Sequence, residues 1–127
     1  MKVPIVRQDS CLIACIPSAL ADGELIRLHD DLIKQVDRSH PRAVFVDVAA
    51  LDVMDSFATR TLGDLAAKIR SQGAEMVLVG IQPDVAVAAL RLGLKFDTVA
   101  TVPGLDEGLA YLGHRARASE ERSGAIR

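Results

Sequence analysis

Three carboxylates and a hydroxyl crowd one short stretch of the chain, Asp47, Asp52 and the pair Asp55-Ser56, with Thr59 and Thr61 close behind. Asp55-Ser56 follows an apolar strand-like run and precedes an amphipathic helical pattern, so the Ser56 hydroxyl falls at a helix N-terminus. Unpaired N–H groups and the positive end of the peptide dipole make that position receptive to phosphate. Asp and Ser are also favoured there simply as helix caps. Clustered carboxylates suit a hard divalent cation, but side-chain alternation along the strand that carries Asp47 argues against a shared cation site for Asp47, Asp52 and Asp55. Ser56 is not accompanied by a His and an acid in a recognisable nucleophilic arrangement. A phosphoacceptor needs no such partners, because a kinase brings ATP, metal and base.

The remaining reactive residues are dispersed. His29, His40 and His114 share no metal-binding spacing, and His29, at the edge of an apolar helix face, reads as a packed structural residue. Cys11 and Cys15 lie in one extended run, too far apart to bridge each other, and read as buried reduced thiols. No Walker-type loop and no Gly-x-Gly-x-x-Gly turn follows a strand. These absences point away from an enzyme and away from any cofactor or metal.

The elements that must position this stretch are legible from periodicity. Residues 3–6 and 11–16 are apolar runs separated by Arg7-Gln8-Asp9-Ser10, as in two neighbouring strands joined by a polar turn. From Asp22 or Glu24 to Val36, the residues Leu25, Leu28, Leu32, Ile33 and Val36 recur at helical spacing. Ala43–Val48 reads as a central strand buried on both faces. The following helix carries Ala58, Leu62, Leu65, Ala66 and Ile69 inward, places Thr59 on its polar side, and stops at Gln72-Gly73. Glu75–Ile81 is a second buried strand, giving a parallel, right-handed strand–helix–strand unit. Pro83 opens a third helix, with Val85, Ala88, Ala89 and Leu92 inward and Gly93 as its terminator. Residues 98–102 form a last strand. Leu105, Leu109 and Leu112 face inward from a final helix. The fold class is α/β, a mixed sheet of four or five strands with about four flanking helices. The domain spans residues 1–113, and residues 114–127 form a polar tail whose composition predicts fraying or disorder.

Charge and composition exclude several partners. Fifteen basic against 17 acidic residues give a net charge of −2, which offers no general attraction to nucleic acid or anionic lipid. One Tyr, three Phe and no Trp leave too few aromatic platforms for base stacking. No run approaches the roughly 20 apolar residues of a membrane span, and no signal sequence opens the chain, so a cytoplasmic location is expected.

An Asp in the central strand of a small α/β domain also raises a receiver-like phosphoacceptor at Asp47. That pattern lacks its acidic pair after the first strand, its hydroxyl residue at Val79-Gly80 and a Lys-Pro after the last strand. The run Phe45-Val46-Asp47-Val48 through Leu51-Asp52-Val53-Met54-Asp55-Ser56-Phe57 instead resembles the STAS domain of anti-sigma factor antagonists and sulfate-transporter tails. The similarity extends over roughly residues 3–113. Asp55-Ser56-Phe57, Leu62-Gly63-Asp64, Gly73-Ala74 and Val79-Gly80-Ile81-Gln82-Pro83 are most similar to the small scaffold subunits of the bacterial stressosome. The resemblance implies a bacterial, non-enzymatic scaffold that holds a switch-type serine kinase and is phosphorylated by it at Ser56, releasing the kinase for stress signalling. It further implies assembly with sensory STAS paralogues, and a phosphoserine phosphatase that resets Ser56. A free anti-sigma factor antagonist that binds an anti-sigma kinase is the alternative. Paralogues carry a second acceptor in the helix after the Gly-x-x-Pro turn, where Val85–Ala89 offers no hydroxyl here. A partner covering Met54, Asp55 and Phe57 would have to desolvate a phosphate at Ser56, so an interface switch is expected.

Overall fold

A computed structural model describes residues 3–112. Two strands open the chain, β1 (Ile5–Gln8) and β2 (Cys11–Cys15), followed by α1 (Asp22–Ser39), β3 (Ala43–Asp47) and α2 (Ser56–Ser71). Then come β4 (Glu75–Val79), α3 (Pro83–Arg91) and β5 (Ala100–Val102), with a last helix, α4, over residues 105–112. The five strands form one mixed sheet in the order β1-β2-β3-β4-β5. The β1–β2 pair is antiparallel and every other pair is parallel. The α/β architecture expected from the sequence is the one observed.

The hairpin differs from expectation in its extent. Arg7 and Gln8 are strand residues, paired with Leu12 and Cys11, and only Asp9 and Ser10 turn. Both have positive φ, 49° and 66°, as a two-residue primed turn demands. Because β1 is an edge strand with a mostly exposed pattern, its polar half carries no burial signal.

Strand β3 is enclosed on both sides. Val44 and Val46 join Leu28, Leu32 and Val36 of α1, Leu62, Leu65 and Ile69 of α2, and Val85 and Ala89 of α3 in the larger core. Ala43 and Phe45 point the other way, toward Val77, Val79 and Leu112, with Leu105 and Leu109 of α4 packed alongside. Gly108 permits this close approach, since a Cβ there would lie 2.6 Å from Phe45 Cε1. Three helices thus cover one face and one covers the other. At roughly 25 cal/mol per Å² of apolar surface, burial on this scale dominates the stability of the domain.

Some boundaries and faces move. Helix α1 continues past Val36 to Ser39, where His40 adopts a left-handed φ of 47° and its N–H donates to Val36 O at 2.9 Å. Strands β3, β4 and β5 are shorter than their apolar runs. Leu92 lies outside α3 and is exposed, while Leu94 takes the buried place. Cys11 is buried but Cys15, expected to be buried, is exposed; both are free thiols. Residues 113–127, which contain the expected tail and His114, lie outside the described residues.

Candidate functional site: the loop between β3 and α2

Parallel strands align their carboxyl ends, and in such sheets functional groups gather in the loops beyond them. Here Cys15 pairs with Asp47, Asp47 with Val79, and Val79 with Val102. The chain leaves β3 by pairing once more, Val48 N–H donating to Val79 O, and then turns with Leu51 N–H on Val48 O, both at 3.0 Å. Asp47 is half-buried, and its Oδ1 accepts the Ala49 N–H at 3.0 Å. Leu51 and Met54 turn inward and anchor the loop in the core.

Met54 therefore departs from the expected partner surface: at 3 % exposure it packs inside and has nothing to offer a docking protein. Its neighbour Val53 is 70 % exposed instead. A loop without regular alternation gave no means of telling which of the two faces inward.

Asp55 is the N-cap of α2. Its backbone is extended, and its Oδ1 accepts the Ala58 N–H at 2.7 Å. Ser56 is the first residue of the helix and is exposed. Its hydroxyl makes no hydrogen bond among the described residues, and the N–H groups of Ser56 and Phe57 precede the helical ladder. The nearby hydroxyls differ. Thr59 is 2 % exposed, correcting its expected place on the polar side, and its Oγ1 donates to Asp55 O at 2.8 Å. Thr61 Oγ1 donates to Phe57 O at 2.8 Å. Of the three hydroxyls, Ser56 alone is both exposed and unengaged.

Asp47, Asp52 and Asp55 do not converge. Each accepts from a different donor, and no group of three His, Cys, Asp or Glu among the described residues is arranged to hold a metal ion. The partner of Asp52 is Gln82, whose Nε2 donates to Asp52 Oδ1 at 3.1 Å and to Ala49 O at 3.0 Å. Gly80, with φ +71°, fits beneath this contact because a Cβ would sit 2.8 Å from Ala49 Cβ. Sequence reasoning missed Gln82. Its signal was weak: an N-cap residue of α3 whose side chain makes no cap bond is free to act elsewhere.

Phe57 is half-buried and opens onto a groove of about 440 Å³ between α1 and α2, lined also by Ile26, His29, Asp30, Arg60 and Asp64. His29 does not simply pack. Its Nδ1 lies 3.0 Å from Asp30 Oδ1 and its Nε2 2.9 Å from Asp64 Oδ2, tying the two helices together. Lys68 Nζ reaches the same Asp64 oxygen at 2.9 Å. The Lys68 ammonium first, and His29 second, hold the Asp64 carboxyl below its ordinary range.

The chain that folds into this mixed five-stranded sheet is matched by a family model over most of its length. Residues 2–107 fit the STAS domain. The chain belongs to the STAS family. A serine-to-glutamate variant of Moorella thermoacetica RsbS superposes with a TM-score of 0.85 at 30 % identity, covering 92 % of this chain and 99 % of that one. BtrV of Bordetella bronchiseptica, provisionally described as an anti-sigma factor antagonist, is 31 % identical over 85 residues, covering 67 % of this chain and 72 % of BtrV. The RsbT co-antagonist protein RsbRA of Bacillus subtilis (strain 168) is 25 % identical over 83 residues, which are 65 % of this chain and 30 % of RsbRA. This STAS chain thus spans under a third of that larger relative. Its fold is of the anti-sigma factor antagonist and stressosome type. No helix among the described residues is long and apolar enough to cross a membrane.

Proposed function

We propose that this STAS domain is a non-enzymatic stressosome scaffold subunit whose Ser56 is phosphorylated by a switch-type serine kinase that it holds. The observation that carries the reading is the exposed, unengaged Ser56 hydroxyl at the first position of α2. The likeness to RsbS over nearly the whole chain supports the scaffold role. In the step itself, Ser56 Oγ attacks the γ-phosphorus of ATP, its proton passes to the kinase's base, and ADP leaves. The product gains about 1.5 to 2 negative charges beside Asp55 and Asp52. A phosphate there meets the N–H groups at the start of α2, so the fold tolerates it, while a partner covering Asp55 and Phe57 must desolvate it. The kinase is then released. Sensory STAS paralogues complete the assembly, a phosphoserine phosphatase restores the hydroxyl, and the protein acts in the cytoplasm. A free anti-sigma factor antagonist is the second reading, favoured by the likeness to BtrV over most of its length.

Site-localised mass spectrometry after incubation with ATP and a switch-type kinase from the same genome tests the proposal, with Ser56→Ala in parallel. Phosphate on Ser56, absent from the variant, is expected. An active kinase that leaves Ser56 unmodified refutes it. Complex size then separates the readings: a very large hetero-oligomer for a scaffold, a small kinase complex for a free antagonist.

A further inference from the structure

Loops at the carboxyl edge of a parallel sheet are held partly by side chains that reach them from neighbouring connections. The loop that presents Ser56 receives one such side chain. Gln82 lies in the turn between β4 and α3, at least 30 residues away along the chain, yet its Nε2 donates to both Ala49 O and Asp52 Oδ1. The backbone carbonyl of Ala49 can only accept, which fixes the orientation of the amide with its nitrogen toward the loop. Gly80 lets the two connections approach, and its N–H donates to Val102 O at 2.9 Å, which anchors the turn that carries Gln82 to the sheet. From the other side, Asp47 Oδ1 holds the Ala49 N–H. Ala49 is therefore gripped at both its N–H and its C=O, and Asp52 is tethered three residues before the N-cap.

We infer that Gln82 is a positioning residue for Ser56: its two hydrogen bonds fix the Ala49–Asp52 turn and thereby the angle at which the head of α2 is offered to a protein kinase. This rests on the phosphoacceptor reading of Ser56. Kinases need the acceptor hydroxyl held near an in-line attack geometry, so a loop that samples other positions lowers the reactive fraction without touching the chemistry. Gln82 itself contacts neither Ser56 nor any reacting atom.

The test uses the whole chain and two readouts, one of them independent of any kinase. Gln82→Glu has the shape of the native side chain but no donor, and sets a carboxylate against Ala49 O and Asp52. Amide hydrogen exchange across residues 48–55 is expected to accelerate by about tenfold, the factor set by roughly one lost hydrogen bond. The value of kcat/KM for Ser56 phosphorylation is expected to fall by a similar, about tenfold, factor. Adding Asp52→Asn reverses the donor and acceptor, since the position-52 amide can then donate to the position-82 carboxylate, and both losses are expected to shrink. A merely structural role would not show that rescue in the kinase rate. Unchanged exchange in Gln82→Glu overturns the inference. Faster exchange with unchanged phosphorylation overturns it as well. If even the wild-type protein is not phosphorylated at Ser56, the phosphoacceptor reading falls, and the positioning role falls with it whatever the exchange data show about the turn.

Discussion

Replacing Asp55 separates its work as a cap from any contact it makes with a partner. In the folded domain its Oδ1 accepts the Ala58 N–H at 2.7 Å, while its carbonyl accepts from the Thr59 N–H and hydroxyl. Asp55→Ala deletes only the side-chain bond, and exposure lets water reach the freed N–H. Loss of such a cap costs about 1 kcal/mol, within a range of roughly 0.5–2. Removing a negative charge from the positive end of α2 adds about 0.3–1 kcal/mol at low salt. The sum, roughly 1.5 kcal/mol, corresponds to a fall in Tm of roughly 6–12 °C for a domain near 100 residues. Asp55→Asn keeps an acceptor of equal capping quality and loses only the charge, so its Tm should fall by less than half as much and recover partly in salt. Thermal unfolding followed by circular dichroism reads both variants. An Asp55→Ala protein as stable as wild type would refute the capping account, and an Asn variant as damaged as the Ala variant would show that charge rather than hydrogen bonding matters. The Asn variant is also the right background for measuring kinase affinity, because its helix start is intact.

Gly108→Ala should destabilise the domain by roughly 1–3 kcal/mol through overpacking against Phe45, with Phe45→Leu in the same chain recovering part of the loss; denaturant titration measures both. Asp64, whose carboxyl is held below its ordinary 3.8 by Lys68 and then His29, stabilises the fold above that value and loses its contribution as pH falls through the depressed folded value. Wild type should therefore outlast Asp64→Asn near neutral pH, with the gap in Tm closing in strong acid. Burial, opposed by Arg42, pushes the Cys11 thiol up, and Cys11 is nearly inaccessible. Iodoacetamide at neutral pH should label exposed Cys15 first and reach Cys11 only on unfolding, as peptide mapping would show.

Continuous apolar runs made β3 and β4 readable, and the 3.6-residue stripes of α1 and α2 placed those helices to within a turn, because both patterns record burial directly. Pro83 marked the start of α3 for an equally local reason. Where burial was set by distant partners, the pattern misled. Thr59 looks polar, yet it is buried, with its hydroxyl satisfied by the carbonyl one turn back. Met54 and Val53 are adjacent apolar residues in a loop, and only the packed sheet decides that Met54 goes in. Gly108 gives no periodic signal at all; it matters because Phe45, 63 positions earlier in the chain, needs the space. Gln82 and His29 act across helices and loops, and no spacing along the chain encodes such contacts.

These misses sharpen the physics of the proposed switch. With Met54 inside, the apolar surface near Ser56 is supplied by Val53 on one side in sequence and Phe57 on the other, the latter opening onto the groove between α1 and α2. Between them stand Asp55, already engaged as a cap, and the unengaged Ser56 hydroxyl. A neutral hydroxyl is covered at far lower cost than a phosphate, because a hydrogen bond to the partner offsets much of its desolvation. A phosphate in its place carries up to two charges that the first N–H groups of α2 satisfy best when water also reaches it. On the proposed reading the free protein would tolerate the phosphorylated state, while a partner seated on both Val53 and Phe57 would have to strip that water away. If Ser56 is the acceptor as proposed, the helix N-terminus that makes the modification tolerable to the fold would leave the penalty concentrated at the interface, so a single covalent change would weaken docking without unfolding the domain.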